Sequence, residues 1–375
     1  MDIEEQYDKI YRYCYFKLYD TQLAQDITQE TFLRFYRQGL TLDNDKELPY
    51  LYTIAKNLCI DHFRKRTVES LEEITEEVPS LQKTPYKRRF GDRKDGRLIR
   101  SMDPLAAVAP FIMSTRTGSQ NLFKDFVDIE NINKFVHKKR SEGFTGFGTM
   151  HVFIAAYIRM LSQRPALNRF ISGQRIYARN NIEIIMAVKK EMTLESPETM
   201  VKFFFEPSST VFDVYNQFNE KILAIKDAVE EDTSFDALAG LLGKIPRFAL
   251  RWTIKFLNWL DYHGWLPTTL TELSPFHGAL VVTSMASLGI SPVYHHLYEF
   301  GNVPMFMAFS GTRHENIVDR NGNVKNTRFF DFSVSSDERI CDGFYFASAL
   351  KELKKYLTNP ELLENPPEKI IEDIP

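Results

Sequence analysis

Asp337-Glu338-Arg339-Ile340-Cys341-Asp342-Gly343 gathers four charged side chains around an Ile-Cys step and closes on Asp-Gly. Phe344-Tyr345 then leads into Ala347 to Tyr356, where apolar residues recur at helical spacing and predict an amphipathic helix. Further back, Ile182 to Val188 and Val201 to Phe205 are short apolar runs of strand type. His151 to Leu161 is apolar almost throughout and predicts a buried helix. From the basic cluster Lys87-Arg88-Arg89 onward, strands and helices are therefore mixed.

The beginning of the chain reads differently. Tyr7 to Leu18 carries aromatics at helical spacing, and Leu23, Ile27, Phe32, Phe35 and Tyr36 continue the pattern from about Gln22 to Gln38. A polar loop, Thr41 to Glu47, precedes Pro49, a residue that opens helices, and Leu51, Ile54, Ala55 and Leu58 follow at i, i+3, i+4 and i+7. This third helix is expected to end near Arg66. The acidic run Glu69, Glu72, Glu73, Glu76 and Glu77, closed by Pro79 and Pro85, reads as a linker. Three segments follow: a helical module at 1–70, an acidic linker at 71–85 and a second domain at 86–375. No internal repeat is visible.

With 375 residues, 43% hydrophobic and 26% charged, the chain has the composition of a soluble globular protein with room for two domains. A net charge of −3 excludes a global basic field for nucleic acid, so any DNA contact must be local. Cys14, Cys59 and Cys341 are widely separated, with no Cys-x-x-Cys spacing, so neither a disulfide framework nor a zinc site is expected and no metal is assigned. Met1 to Asp8 is acidic rather than basic then apolar, and no run of about eighteen uncharged apolar residues occurs. A cytoplasmic protein without a spanning segment is expected.

Asp26-Ile27-Thr28-Gln29-Glu30-Thr31-Phe32-Leu33-Arg34, followed by Leu48-Pro49-Tyr50-Leu51-Tyr52-Thr53-Ile54-Ala55-Lys56-Asn57-Leu58-Cys59-Ile60-Asp61-His62-Phe63-Arg64-Lys65-Arg66, resembles bacterial sigma factors of the extracytoplasmic-function type. The resemblance covers residues 5–70. It implies that the helix carrying Asp26, Gln29, Glu30 and Arg34 docks on core RNA polymerase and that the helix ending at Arg66 faces promoter DNA. At 100° per residue Asn57, Asp61 and Arg64 fall within about 60° of one another, a face suited to base edges, while Lys65 and Arg66 suit phosphates. Such factors open DNA, and Asn57 is placed to grip an extruded base. A solvated basic helix terminus is the plainer alternative for Arg64-Lys65-Arg66. Sigma factors of this type carry a second DNA-binding module, and no second helix-turn-helix pattern follows Arg66 here.

Ile340-Cys341-Asp342-Gly343-Phe344-Tyr345, Arg164-Pro165-Ala166-Leu167-Asn168, and Val282-Thr283-Ser284 with Leu288-Gly289-Ile290 resemble segments of the chloramphenicol acetyltransferase superfamily, which includes the catalytic domain of 2-oxoacid dehydrogenase acyltransferases. The resemblance implies a mixed sheet flanked by helices, a homotrimer with active sites between subunits, and a coenzyme A thioester as substrate. The fold class is then α+β: an all-helical sigma module followed by an α/β acetyltransferase-like domain. The family signature is His-x-x-x-Asp-Gly, and Glu338 stands at its histidine. By position, Thr283 would be the oxyanion donor, Asp342 structural and often paired with an arginine in the family, and Gly343 a site of close packing.

A glutamate in water has a pKa of about 4.3 against about 8.5 for a thiol, a gap of about 6 kcal/mol against proton transfer. Burial would have to raise it for Glu338 to act as base. The alternative is an ion pair, with Arg339 or an arginine elsewhere, in a domain that binds without turnover. His295-His296 read as strand neighbours pointing to opposite faces, which favours packing, with a substitute base or a metal ligand as the alternatives. His151 and His277 read as satisfied core residues. The aromatic segment Pro246 to Leu266, with Phe248, Trp252, Phe256, Trp259 and Trp265, reads as a helix covering the core, with a membrane surface or an acyl channel as alternatives. Two functions stay open: a sigma module tied to an acyl-ligand-binding domain, or an active acyltransferase using Glu338 with a vestigial sigma module.

Overall fold

A helix without a polar face has to be surrounded, and Thr149–Gln163 (α6) is buried at every residue from His151 to Ser162. The computed structural model describes residues 3–18, 21–37, 47–59, 88–189, 198–227, 243–318, 322 and 324–373. It divides into two units, Met1–Tyr86 and Lys87–Pro375.

In the first unit, α1 (Ile3–Leu18), α2 (Thr21–Arg37) and α3 (47–59) enclose a core of Ile10, Cys14, Ala24, Ile27, Phe32, Phe35, Leu51, Ile54, Ala55, Leu58 and Cys59. Thr28 and Thr31, buried mid-helix, donate their hydroxyls to the carbonyls of Ala24 and Ile27, which leaves no orphan donor. Cys14 and Cys59, distant in sequence, meet in this core as free thiols. The expected linker lies outside the described residues.

The second unit is built on a six-stranded mixed sheet of order β2-β9-β8-β7-β5-β6: Gln120–Asp128, Val324–Asp337, Met305–Val318, Leu280–Ser284, Ile182–Lys189 and Glu198–Phe205. Only the β5–β7 and β7–β8 pairs are parallel. A smaller sheet, β1-β4-β3, joins Gly96–Leu98, Arg175–Arg179 and Arg169–Ser172. Helices α4 (Pro104–Ile112), α5 (Glu130–Ser141), α6, α7 (Val211–Asp227), α8 (Arg247–Tyr262), α9 (Thr268–Leu273) and α10 (Gly343–Thr358) complete the unit. Phe153 of α6 packs edge-on against Phe309 of β8 with ring centroids 4.3 Å apart, and α10 turns Ala349, Leu353, Tyr356 and Leu357 inward. The expected strands and the helices at His151 to Leu161 and Ala347 to Tyr356 are all present, each extended at its ends.

Helix α8 corrects an expectation. It does not cover the core with its aromatics. Asp261 is its single buried residue, while Phe248, Trp252, Phe256 and Trp259 are exposed. One end is pinned instead: Arg93 donates to the Asp261 carboxylate at 2.7 Å and to Ser172 Oγ at 2.8 Å, and also binds Asp95 at 2.8 Å. Gly173, at φ +55°, closes the β3–β4 turn there, and a Cβ on it would fall 2.5 Å from the Tyr262 carbonyl oxygen. Burial pushes the Asp261 carboxyl up, but His277 and Arg93 beside it outweigh burial and hold it below the usual carboxylate range.

The turn after β9 is fixed by another buried pair. Arg339 grips Asp337 through Nε at 2.8 Å and Nη2 at 2.7 Å, with side chains 3% and 1% exposed, and donates Nη1 to the Met113 carbonyl. The Asp337 N–H donates to Pro304, the Glu338 N–H to Ser119. Replacing Arg339 by Met strands a buried carboxylate and is expected to cost about 3–5 kcal/mol in urea unfolding, whereas the double change Asp337→Leu with Arg339→Met recovers most of that loss. A single variant within about 0.5 kcal/mol of wild type would contradict the assignment.

His151 supplies a pH signature. The Gly148 N–H donates to its Nδ1 at 2.9 Å, and its Nε2 is buried without a partner, so the expectation of a fully satisfied histidine is only half met. Burial, with the nearby Arg140 charge, pushes its pKa down from 6.5 to about 4. Between those values the unfolded chain takes up a proton that the folded chain refuses, so stability falls as pH drops across that window, by about 3 kcal/mol in full. Denaturation at pH 7 and pH 4.5 is expected to show a shallower loss in His151→Leu than in wild type, and equal losses would refute it.

Candidate functional site

The site at the signature grows out of the Asp337–Arg339 turn. Because Arg339 points inward to Asp337, the expected Glu338–Arg339 ion pair does not form, and Glu338 is exposed. Asp342 Oδ1 then accepts from the Tyr345 N–H at 2.8 Å and caps α10. That role is structural, but through a helix end and not through an arginine. Gly343, expected to permit close packing, borders open space: a Cβ built on it meets nothing within 4 Å. Met113, Asn121, Ser336, Asp337, Glu338, Cys341, Asp342, Gly343 and Phe346 line a cavity of about 290 Å³. Cys341 is a poor nucleophile, since burial pushes its thiol up to about 12.

Thr283 lies elsewhere in the chain. It ends the buried part of β7, and its Oγ1 is 3.1 Å from His295 Nε2. His295 stacks on Phe306 with ring centroids 4.2 Å apart, and burial, with the neighbouring His296 charge, lowers its basicity. Residues 290–298 form no strand, so the histidines are not alternating strand neighbours; Pro292 and the irregular path let His295 turn to Thr283 while His296 is exposed. The pairing was not legible in the sequence, which read these histidines as strand neighbours.

Within one chain Thr283 and Glu338 are apart. Thr283 pairs with Ala308, and Ala308 with Ser333. Glu338 follows Ser333 by five residues, about 17 Å along the strand and about 10 Å sideways across two strand spacings. Neither side chain reaches the other's surroundings. His277, the other expected core histidine, is buried, with Nδ1 2.9 Å from Ser274 Oγ and Nε2 3.5 Å from Asp261.

On the first unit, Asp26, Gln29 and Arg34 are exposed on α2, with Glu30 half-buried and bound to Arg34 at 2.8 Å. Leu33 and Tyr36, 51% and 58% exposed, extend that outer surface with apolar area that the polar motif did not announce. Asn57 is exposed on α3. Asp61, Arg64, Lys65 and Arg66 lie outside the described residues. Among the described residues no group of three or more His, Cys, Asp or Glu gathers, and no helix is long and apolar enough to cross a membrane.

Residues 3–68 match the family model for Sigma-70 region 2, and residues 281–364 match that for the catalytic domain of 2-oxoacid dehydrogenases acyltransferase. Over 73 residues the chain is 37% identical to the ECF RNA polymerase sigma factor SigM of Bacillus subtilis, covering 18% of this chain and 45% of the relative. Over 60 residues it is 47% identical to SigW of the same organism, covering 16% and 32%. The chain thus spans less than half the length of the curated relatives it matches. A probable dihydrolipoamide acetyltransferase from Listeria monocytogenes is similar in structure at 13% identity, covering 70% of this chain and 95% of that one, with a TM-score of 0.45. The chain joins a Sigma-70 region 2 segment, similar to extracytoplasmic-function sigma factors, to a segment of the 2-oxoacid dehydrogenase acyltransferase catalytic type.

Proposed function

We propose that the second unit binds the acyl thioester of coenzyme A, or a related acyl ligand, with little or no turnover, and that the first unit carries it to core RNA polymerase and promoter DNA. The observation behind this reading is the exposed Glu338 beside an open cavity. The dry surroundings that turn a carboxylate into a strong base are missing around it in a single chain, while space for a ligand is present. At about 290 Å³ the cavity is at the low end of those that enclose small ligands. A whole thioester therefore needs more wall than one chain supplies. The separation of Thr283 from Glu338 fits a site assembled between copies, in a homotrimer, with each residue donated by a different chain. The polymerase contact is assigned to Asp26, Gln29, Glu30 and Arg34, and the DNA contact to Asn57, Asp61, Arg64, Lys65 and Arg66.

Calorimetric titration of the full chain with acetyl-CoA tests the ligand. Saturable binding is expected. Glu338→Gln should leave the affinity within about threefold, because an exposed carboxylate contributes little. Gly343→Trp, whose Cβ would meet no atom within 4 Å and whose ring would occupy the cavity, should weaken binding more than about tenfold. No heat of binding in wild type, or indifference to Gly343→Trp, would overturn the site.

Retention of the full chain on immobilised core RNA polymerase tests the partner. Reversing Asp26 and Glu30 to Lys together is expected to reduce retention more than about tenfold. Failure of wild type to bind at low salt removes the polymerase role and leaves the acyl site untouched.

A further inference from the structure

Helix α8 is the feature that the acyl and polymerase readings leave unused. At 100° per residue its side chains divide into three rows. Leu250, Ile254, Leu257 and Asp261 face inward, with Asp261 held by Arg93. Phe248, Trp252, Phe256 and Trp259 form the opposite row and are 74%, 69%, 57% and 47% exposed. Arg247, Arg251 and Lys255 line one flank, all exposed. Trp265, just past the helix, adds to the aromatic surface: its ring meets Trp259 edge-on at 5.3 Å and stacks on His263 at 4.9 Å. Phe256 stacks on Trp259 at 6.1 Å, and the Lys255 ammonium sits 5.2 Å from the Trp252 ring centre. The surface is thus preassembled, and the pinned Asp261 end holds it outward.

We propose that this face of α8 seats on an anionic lipid surface, lying in the headgroup region without crossing it. Charge selects that occupant over a protein partner. The helix carries a single carboxylate, Asp261, and that one is buried and paired, so its exposed charge is entirely positive. Glu272, exposed on α9, is the nearest carboxylate downstream. Tryptophans beside lysine and arginine match the interface between headgroups and acyl chains, where a ring has an apolar body and a polar N–H to place. A contiguous exposed aromatic row of this kind is costly in water and marks a contact surface.

The chain supplies its own reporter, since its three tryptophans are Trp252, Trp259 and Trp265, all within this surface. The test is tryptophan emission of the full chain, with flotation, on adding vesicles of phosphatidylcholine alone or with about 30% phosphatidylglycerol. A blue shift and co-flotation are expected with the anionic vesicles and not with the neutral ones. Replacing Arg251 and Lys255 by Gln is expected to weaken that partitioning about thirtyfold. Trp252→Ser with Phe256→Ser should abolish it while leaving the circular dichroism unchanged. No shift with either vesicle would overturn the proposal. So would a shift that grows with protein concentration in the absence of lipid, which assigns the face to a second copy. Emission already blue in the free protein and insensitive to vesicles would assign it to another part of this chain and overturn it equally. None of these outcomes bears on the acyl site.

Discussion

The buried fork between Asp337 and Arg339 sets the geometry of everything at the signature. A guanidinium and a carboxylate this deeply buried stay together because separating them leaves a bare charge in a dry interior. Once Arg339 is turned inward, the residue between the two partners has nowhere to go but out. The same turn delivers Asp342 to the first residue of α10, where its carboxylate satisfies a helix-end N–H. The turn thus presents an exposed carboxylate, Glu338, at the rim of a cavity.

The mixed sheet, the wholly buried α6 and the helix that follows the signature are ordinary packed structure, with Phe153, Phe309 and Phe332 clustered where sheet and helix meet. The proposed reading, ligand recognition without efficient proton transfer, rests on an exposed carboxylate beside a cavity.

Much of the fold was legible in the sequence. The strand runs at Ile182 and Val201 and the helix at His151 were legible because their apolar residues are nearly contiguous, the strands broken only by Glu183 and Lys202, which pair with each other at 3.2 Å. Helix α8 was misjudged for a physical reason: periodicity identifies an apolar row without saying which way it faces. Here two such rows exist on opposite sides, and the one with the tryptophans points out. The partner of Arg339 was hidden because two carboxylates, Asp337 and Glu338, precede it in sequence, and only the turn geometry chooses between them. The Thr283–His295 contact and the meeting of Cys14 with Cys59 depend on chain paths that residue spacing does not encode.

The central proposal is that Glu338, exposed beside the cavity, does not drive acyl transfer there. The most direct measurement is the rate of coenzyme A release from acetyl-CoA and a thiol acceptor by the full chain, wild type against Glu338→His. The account predicts wild type at the uncatalysed rate and the histidine variant at least about tenfold faster, in line with what a positioned general base contributes. Wild-type turnover well above background that disappears in Glu338→Gln would contradict it and make the glutamate the base.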